Sequence, residues 1–378
     1  MRITNGTLVT MEDGTFEKGY IDFENGKIIR IGFADEAPMT SGEVLDAQGG
    51  YILPGLIDAH THIGIAEEGI RWEGDDCNEA SDPITPHMRA IDGFYPFDAA
   101  IPKAIAGGVT SCAVSPGSTN PIGGQIAAIK LHGDCADRMI LKAPCAMKFA
   151  MGENPKRCYG ERHDKMPVTR MGIAALIREA LTRAVQYARK KNGGEDLYDA
   201  RGEALIPVLK GEIPAQFHAH RSDDILTAMR LADEFHLRYT IIHATDAEII
   251  VDDILRAGIL PIVGPGMVSS GKPETAHGGL CVPKTLSEKG IEVAITTDHG
   301  VLPLAYLSVF AALCVREGMD AQAALRAITI NPAKVMGVDE RVGSLKPGKD
   351  ADIVVFTQHP FELTSRTKAV FIDGNRAL

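Results

Sequence analysis

Between two β-rich ends the chain alternates short apolar strands with helical stretches, and that rhythm constrains the fold more than any other feature. Gly107-Gly108 leads into the strand-like run VTSCAVS, and Pro144–Met151 is a second short apolar run. Helical spacing follows at Ile173, Leu176, Ile177, Leu181 and Val185. Gln216–His220 reads as a strand and precedes a helical face of Ile225, Leu226, Met229, Ala232 and Phe235. Tyr239–His243 repeats the pattern, with Ile249, Ile250 and Ile254 behind it. Pro261–Val263 and Glu292–Thr296 are further strands, the second followed by a helix near Ala305–Arg316. Such alternation argues for parallel β/α units. About 290 residues, roughly 54–343, suit a TIM barrel, whose usual size is ~250 residues before insertions. A doubly wound open sheet is the structural alternative, but no G-x-G-x-x-G turn follows a strand. Gly, Pro and charge mark 152–170 and 264–284 as long loops.

The ends have a different texture. Leu8–Met11, Gly19–Phe23 and Lys27–Ile31 are strand-length runs punctuated by Asp13-Gly14, Asn25-Gly26 and Gly49-Gly50. Asp350–Phe356 and Ala369–Ile372, followed by Asp373-Gly374, return to it. Asn-Gly between two such runs is a hairpin signal. The net charge of −11, with no long Lys/Arg run, argues against a nucleic-acid or membrane-surface binder. Seven scattered cysteines without a C-x-x-C pair suit reduced thiols. Neither a signal-peptide layout nor a bilayer-length apolar stretch is visible, so a cytoplasmic location is expected.

Chemistry gathers at the strand ends. His60 and His62 flank Thr61 in LPGLIDAHTHI, and residues two apart on a strand share a face. A bare H-x-H is more often a surface or core pair than a ligand pair. His218, His243 and Asp298, however, also close apolar strands: AQFHAH, YTIIHA and VAITTD. In a barrel those ends converge on one pocket, and His/Asp donors there form a zinc-type ligand set.

With those residues the chain resembles the amidohydrolase superfamily, in particular its imidazolonepropionase-like metal-dependent hydrolases. The matching pieces are LPGLIDAHTHI (53–63), FHAH (217–220), IIHA (241–244), TTDHG (296–300), ITINPAK (328–334) and GSLKPGKDADIVV (343–355). The resemblance implies a (β/α)8 TIM barrel over 54–343 and a small β-sandwich built from 1–53 plus 344–378. It implies metal ligands at His60 and His62 after the first strand, His218 after the fifth, His243 after the sixth and Asp298 after the eighth. Two zinc ions are expected, with iron, manganese or nickel as alternatives. A two-metal site needs a bridging anion from a middle strand: Glu153 in MGENPKR, or a carboxylated Lys148 in CAMKFAMG. The reading leans to Glu153, which needs no modification. Arg221 stands where many ring deaminases carry Glu, and His220 where imidazolonepropionase itself would carry an acid.

The expected chemistry is hydrolysis of an amide or other C–N bond of a small molecule by metal-activated hydroxide. Asp298 would move the proton, His220 would stabilise the oxyanion, and His243 completes the catalytic group. His299 could pack or react. Asn120 and Gln125, in a polar loop, Arg221, and the basic Lys156, Arg157, Arg162 and Lys272 are candidate substrate contacts. A substrate carboxylate would suit the basic ones. A dipeptide, an N-acylated amino acid or a small cyclic amide would fit. The alternatives are a deaminase or cyclic-amidine hydrolase on the same barrel, and a catalytically silent binding or assembly homologue. The complete ligand set argues against the silent homologue, and an oxygen-using iron enzyme fits four histidines poorly. The partner is a small-molecule substrate, and a homo-oligomer is expected.

Overall fold

The computed structural model describes residues 1–12, 14–162, 165–268 and 271–378; Asp13 of the expected Asp13-Gly14 turn and the side chain of Arg162 lie outside the described residues. Five strands open the chain: β1 (Arg2–Val9), β2 (Thr15–Glu24), β3 (Lys27–Phe33), β4 (Val44–Asp46) and β5 (Tyr51–Pro54). Eight follow in the barrel: β6 (Leu56–Thr61), β7 (Val109–Val114), β8 (Ile122–Lys130), β9 (Ile140–Ala150), β10 (Ala215–Ala219), β11 (Tyr239–His243), β12 (Ile262–Val263) and β13 (Ala294–Ile295). The chain ends with β14 (Ile353–Phe356), β15 (Thr367–Ile372) and β16 (Asn375–Arg376).

The two ends share one sheet, in the order β16-β15-β14-β5-β1-β2-β3 with β4 on β1. Asn25-Gly26 makes the two-residue β2–β3 hairpin, with φ of 51° and 76°. Asp373-Gly374 repeats it between β15 and β16, with φ of 50° and 73°. Both carry the positive φ pair that matches strand twist. Strand β2 stands four places from β15, yet the rings of Phe23 and Phe371 are 5.2 Å apart. Neighbouring strands lie about 4.8 Å apart, so a flat sheet could not make that contact. The sheet is therefore curled into a small sandwich around Ile3, Ile21, Ile52 and Ile353. Val354 and Phe356 pack instead with the barrel's outer layer. Strand β14 is thus buried on both faces, and its sequence IVVF is an unbroken apolar run.

Gly55 carries the chain from one sheet to the other. A Cβ there would lie 2.0 Å from Thr110 Oγ1 on β7, so no other residue fits this close crossing. The barrel order is β6 through β13, and hydrogen bonds join the two ends. Thr296 Oγ1 donates to His60 O at 2.6 Å, and His62 N donates to His299 O at 2.5 Å. Small and branched side chains, among them Ile57, Ala59, Ala113, Ile126 and Ile242, fill the interior.

One feature departs from the all-parallel expectation. Strand β8 is antiparallel to both β7 and β9. Residues 115–121 and 131–139 are too short for parallel crossovers, which need a dozen residues or more. The last of them hold just the four-residue helix Ala136–Met139. The other units carry their helices outside, from Arg170–Asn192 and Ser222–Glu234 to Leu307–Arg316. The expected loops are partly ordered: 152–170 contains the helical turns Glu153–Lys156 and Arg157–Arg162, and the helix Cys281–Glu288 begins inside 264–284. All seven cysteines are free. No described helix is long and apolar enough to cross a membrane.

Candidate metal centre

The strand ends deliver their side chains to one place. Asp298 Oδ1 lies 3.4 Å from His60 Nε2 and 3.3 Å from His62 Nε2. The donor atoms of His60, His243 and Asp298 all lie within 4.8 Å of one another, and so do those of His218, His220 and His243. His243 belongs to both groups and joins them. It and Asp298 adopt left-handed backbone, φ 73° and 51°. For non-glycine residues that conformation is uncommon and costs energy, and here it falls at two strand ends that carry donors.

Hydrogen bonds set the rings. His62 Nδ1 lies 2.7 Å from Ser115 O, and His243 Nδ1 lies 2.6 Å from Gly264 O. A carbonyl can only accept, so each Nδ1 carries the proton and each Nε2 turns its lone pair to the centre. His220 Nδ1 meets Thr245 Oγ1 at 2.7 Å, and its ring stacks on His243 with centroids 4.5 Å apart. Beneath them Asp58 accepts from His60 N at 3.0 Å and from Thr297 N and Oγ1, both at 2.8 Å. That buried carboxylate ties the first barrel strand to the last, and burial pushes its pKa up to about 6.

Lys148 is fully buried on β9, with Nζ 3.3 Å from His60 Nε2. Its neighbours on the inward face, Ala146 and Ala150, are small, and Gly123 on β8 leaves its stem room. Burial brings the amine down to about 7.

Burial also holds His60, His218 and His220 well below the usual imidazole range, and lowers His243. Burial pushes Asp298 the other way. The field of His243 and the contacts with His60 and His62 outweigh it and keep the carboxyl well below its ordinary value. Neutral imidazoles beside an ionised carboxylate are the donor states that a divalent cation requires. His60 Nδ1, His218 Nδ1 and Asp298 Oδ1 are buried without a hydrogen-bond partner, and a cation at Asp298 would satisfy the last of them. The residues fit the metal.

A cavity of about 560 Å³ opens above the centre, lined by His62, His218, His220, His243 and Asp298 together with Asn154, Lys272 and several valines. This is an ordinary volume for a small-molecule site. A cavity of similar size, about 540 Å³, lies between the terminal sheet and the barrel at Tyr51 and His359, away from the histidines.

The remaining candidates part company here. Glu153 opens a short helix, with its side chain toward Arg157 at 4.0 Å and its backbone N–H bonded to Glu274. Lys148, unlike Glu153, lies against one of the strand-end histidines. Asn120 spends its Nδ2 on Glu79 O, Asp82 O and Thr85 Oγ1, holding a neighbouring segment. Gln125 lies on β8 rather than in a loop, in line with the outward Ala127 and Ile129. Arg157 pairs with Glu153 and Glu161, and Arg221 with Asp223. Neither they nor Lys156 line the cavity, whereas Lys272 does. His299 packs: its Nδ1 accepts from Leu304 N. Asp58, Asn154 and Thr245 escaped the sequence reading. The alternation Ala146, Lys148, Ala150 against Met147, Phe149, Met151 was a usable signal, since it aims the lysine inward among small residues.

The amidohydrolase family model matches residues 51–377. A crystal structure of an amidohydrolase from Thermotoga maritima has a TM-score of 0.96 and 41% identity, covering 100% of this chain and 99% of that one. Amidohydrolase tasK of Hapsidospora irregularis is 33% identical over 362 residues, covering 88% of this chain and 37% of tasK, so the chain spans little more than a third of that relative. An imidazolonepropionase of Sphingopyxis alaskensis is 25% identical over 391 residues, covering 97% of this chain and 94% of that one. By the match along most of its length, by the barrel and by its donor-bearing strand ends, this chain belongs to the amidohydrolase family, enzymes acting on carbon–nitrogen bonds.

Proposed function

We propose that the protein hydrolyses an amide or related C–N bond of a small molecule, with divalent cations held by His60, His62, Lys148, His218, His243 and Asp298. One observation carries this reading: two donor groups share His243 beneath a single cavity. A Lys148 bridge is supported by its Nζ lying 3.3 Å from His60 Nε2 and by its ammonium depressing the basicity of His60, His218 and His243 alike. An amine with a pKa of about 7 is substantially unprotonated at neutral pH. Its nitrogen lone pair can add to the carbon of CO2 with loss of one N–H proton, giving an anionic carbamate with two oxygen donors.

A bound divalent cation supplies Lewis acidity and a water acidified from a pKa of 15.7 to about 7. The rest falls to the chain. Asp298, ionised and facing the cavity, accepts the proton of the attacking water and returns it to the leaving nitrogen. His220, steadied by Thr245 and the His243 ring, faces the cavity where the carbonyl oxygen gains charge.

The test is metal analysis combined with amine release from a panel of N-acyl amino acids, dipeptides and lactams. Lys148→Ala is expected to lose metal and Glu153→Ala to keep it. Asp298→Asn with metal bound should lose about 10²–10⁴ in turnover, the usual weight of a positioned acid or base. Near-normal turnover in that variant removes Asp298 from the proton path. Inert wild-type protein carrying its metal would defeat the hydrolase reading.

A further inference from the structure

Lys272 is the cavity's Lys or Arg side chain, the lining holding no other among the described residues. Its Nζ donates to Asn154 Oδ1 at 2.5 Å, and Glu274 Oε1 lies behind it at 3.6 Å. An ammonium has donors and no acceptor, so the amide atom facing it must be the oxygen. The opposite side of the same amide then points Nδ2 at Ser118 Oγ, 2.8 Å away, and at His218 Nε2, 3.4 Å away. Ser118 therefore locks the carboxamide, and the carboxamide locks the lysine. A single amide group thus separates the cation from a metal-centre histidine. The walls around it include Val263, Val268, Val282 and Val301, which offer no competing charge.

We propose that Lys272, positioned by Asn154, binds a substrate carboxylate attached to the carbon next to the scissile nitrogen. This rests on the hydrolase reading above and narrows its substrate to N-acylated α-amino acids, dipeptides included. The spacing decides the class. With the carbonyl at the metal centre, a carboxylate one carbon beyond the nitrogen reaches a cation that lies one amide length away. A carboxylate on a long flexible chain would lose more conformational freedom in reaching it. One lysine and an amide suit a carboxylate, and the described lining residues hold no arginine fork to favour phosphate.

The experiment uses the zinc-supplemented protein and two probes, N-acetyl-L-valine and its neutral carboxamide, with affinities measured by calorimetry. The carboxylate should bind at least about tenfold more tightly, as a charge-assisted hydrogen bond warrants. Lys272→Met should bring its affinity down to that of the carboxamide, and Lys272→Arg should restore most of the preference. Asn154→Asp, which sets a carboxylate against the lysine, should weaken the acid more than the carboxamide. Equal affinities in the wild type, a preference that survives Lys272→Met, or no binding of either probe overturns the proposal. Amine released equally fast from acids and neutral amides would leave hydrolysis standing and remove the carboxylate contact. A carboxylate preference without any amine release would do the reverse.

Discussion

Adjacent strands of the barrel each bury a lysine, and the two meet opposite fates. Lys130 ends β8, which runs antiparallel and so carries it to the end of the barrel away from the histidines. There its Nζ touches Asp350 at 2.8 Å, Asp352 at 3.0 Å and Asp373 at 2.5 Å. Burial pulls this amine down, but three carboxylates more than offset it, and its pKa is raised. Asp350, shared with Lys27 and Arg341, is held below its usual range despite burial, while the fully buried Asp352 is pushed up to about 6. Lys148 on β9 faces the histidines, and burial prevails there, bringing it to about 7. Counter-charge, rather than depth, separates a structural lysine that keeps its proton from one free to lose it.

The sharpest break of this comparison is Lys148→Met. Metal content and kcat/KM should fall together, the latter by at least about a thousandfold, while the metal-free fold stays as stable as wild type or gains stability. Loss of stability without loss of metal would put Lys148 in the same class as Lys130. The mirror experiment is Lys130→Met, which strands buried carboxylates. Urea unfolding should show a loss of about 3–5 kcal/mol with the metal centre intact.

Titration also separates the two. Lys148 titrates near 7 when folded and near 10.5 when unfolded. Between those values the unfolded chain holds a proton that the folded one lacks. Stability of metal-free, CO2-free protein should therefore rise with pH across that window, by up to about 1.4 kcal/mol per unit. Lys148→Met should flatten the slope. Lys130, with its folded pKa raised, keeps its contribution below 10.5 and loses it above. The smallest effect expected is for Thr245→Val, which removes the partner of His220 Nδ1. A stability change of about 1 kcal/mol and a shifted pH–rate profile, at unchanged metal content, would match a positioning role.

Particular residues show how far the chain could be read before folding. The hairpins at Asn25-Gly26 and Asp373-Gly374 were legible, because left-handed turn positions select those residues locally. His60, His62, His218, His243 and Asp298 were legible as strand-end donors, because alternation along a strand and convergence at a barrel's mouth follow from geometry alone. The reversed β8 was not read, although its short connections were visible. Asn120, Arg157 and Arg221 stand outside the cavity lining, and they share one trait. Each is polar and near the site in sequence, but its hydrogen bonds are satisfied elsewhere.

The sequence by itself determined the class of chemistry and the β/α frame, since side-chain period, turn residues and donor type are local properties. Only the tertiary structure set Lys148 against His60 and turned Glu153 toward Arg157, and it shifted Lys130 and Lys148 in opposite directions. It also seated Lys272 one amide away from His218. Those outcomes depend on burial and on charges brought together from distant parts of the chain, and such fields exist only once the barrel has closed.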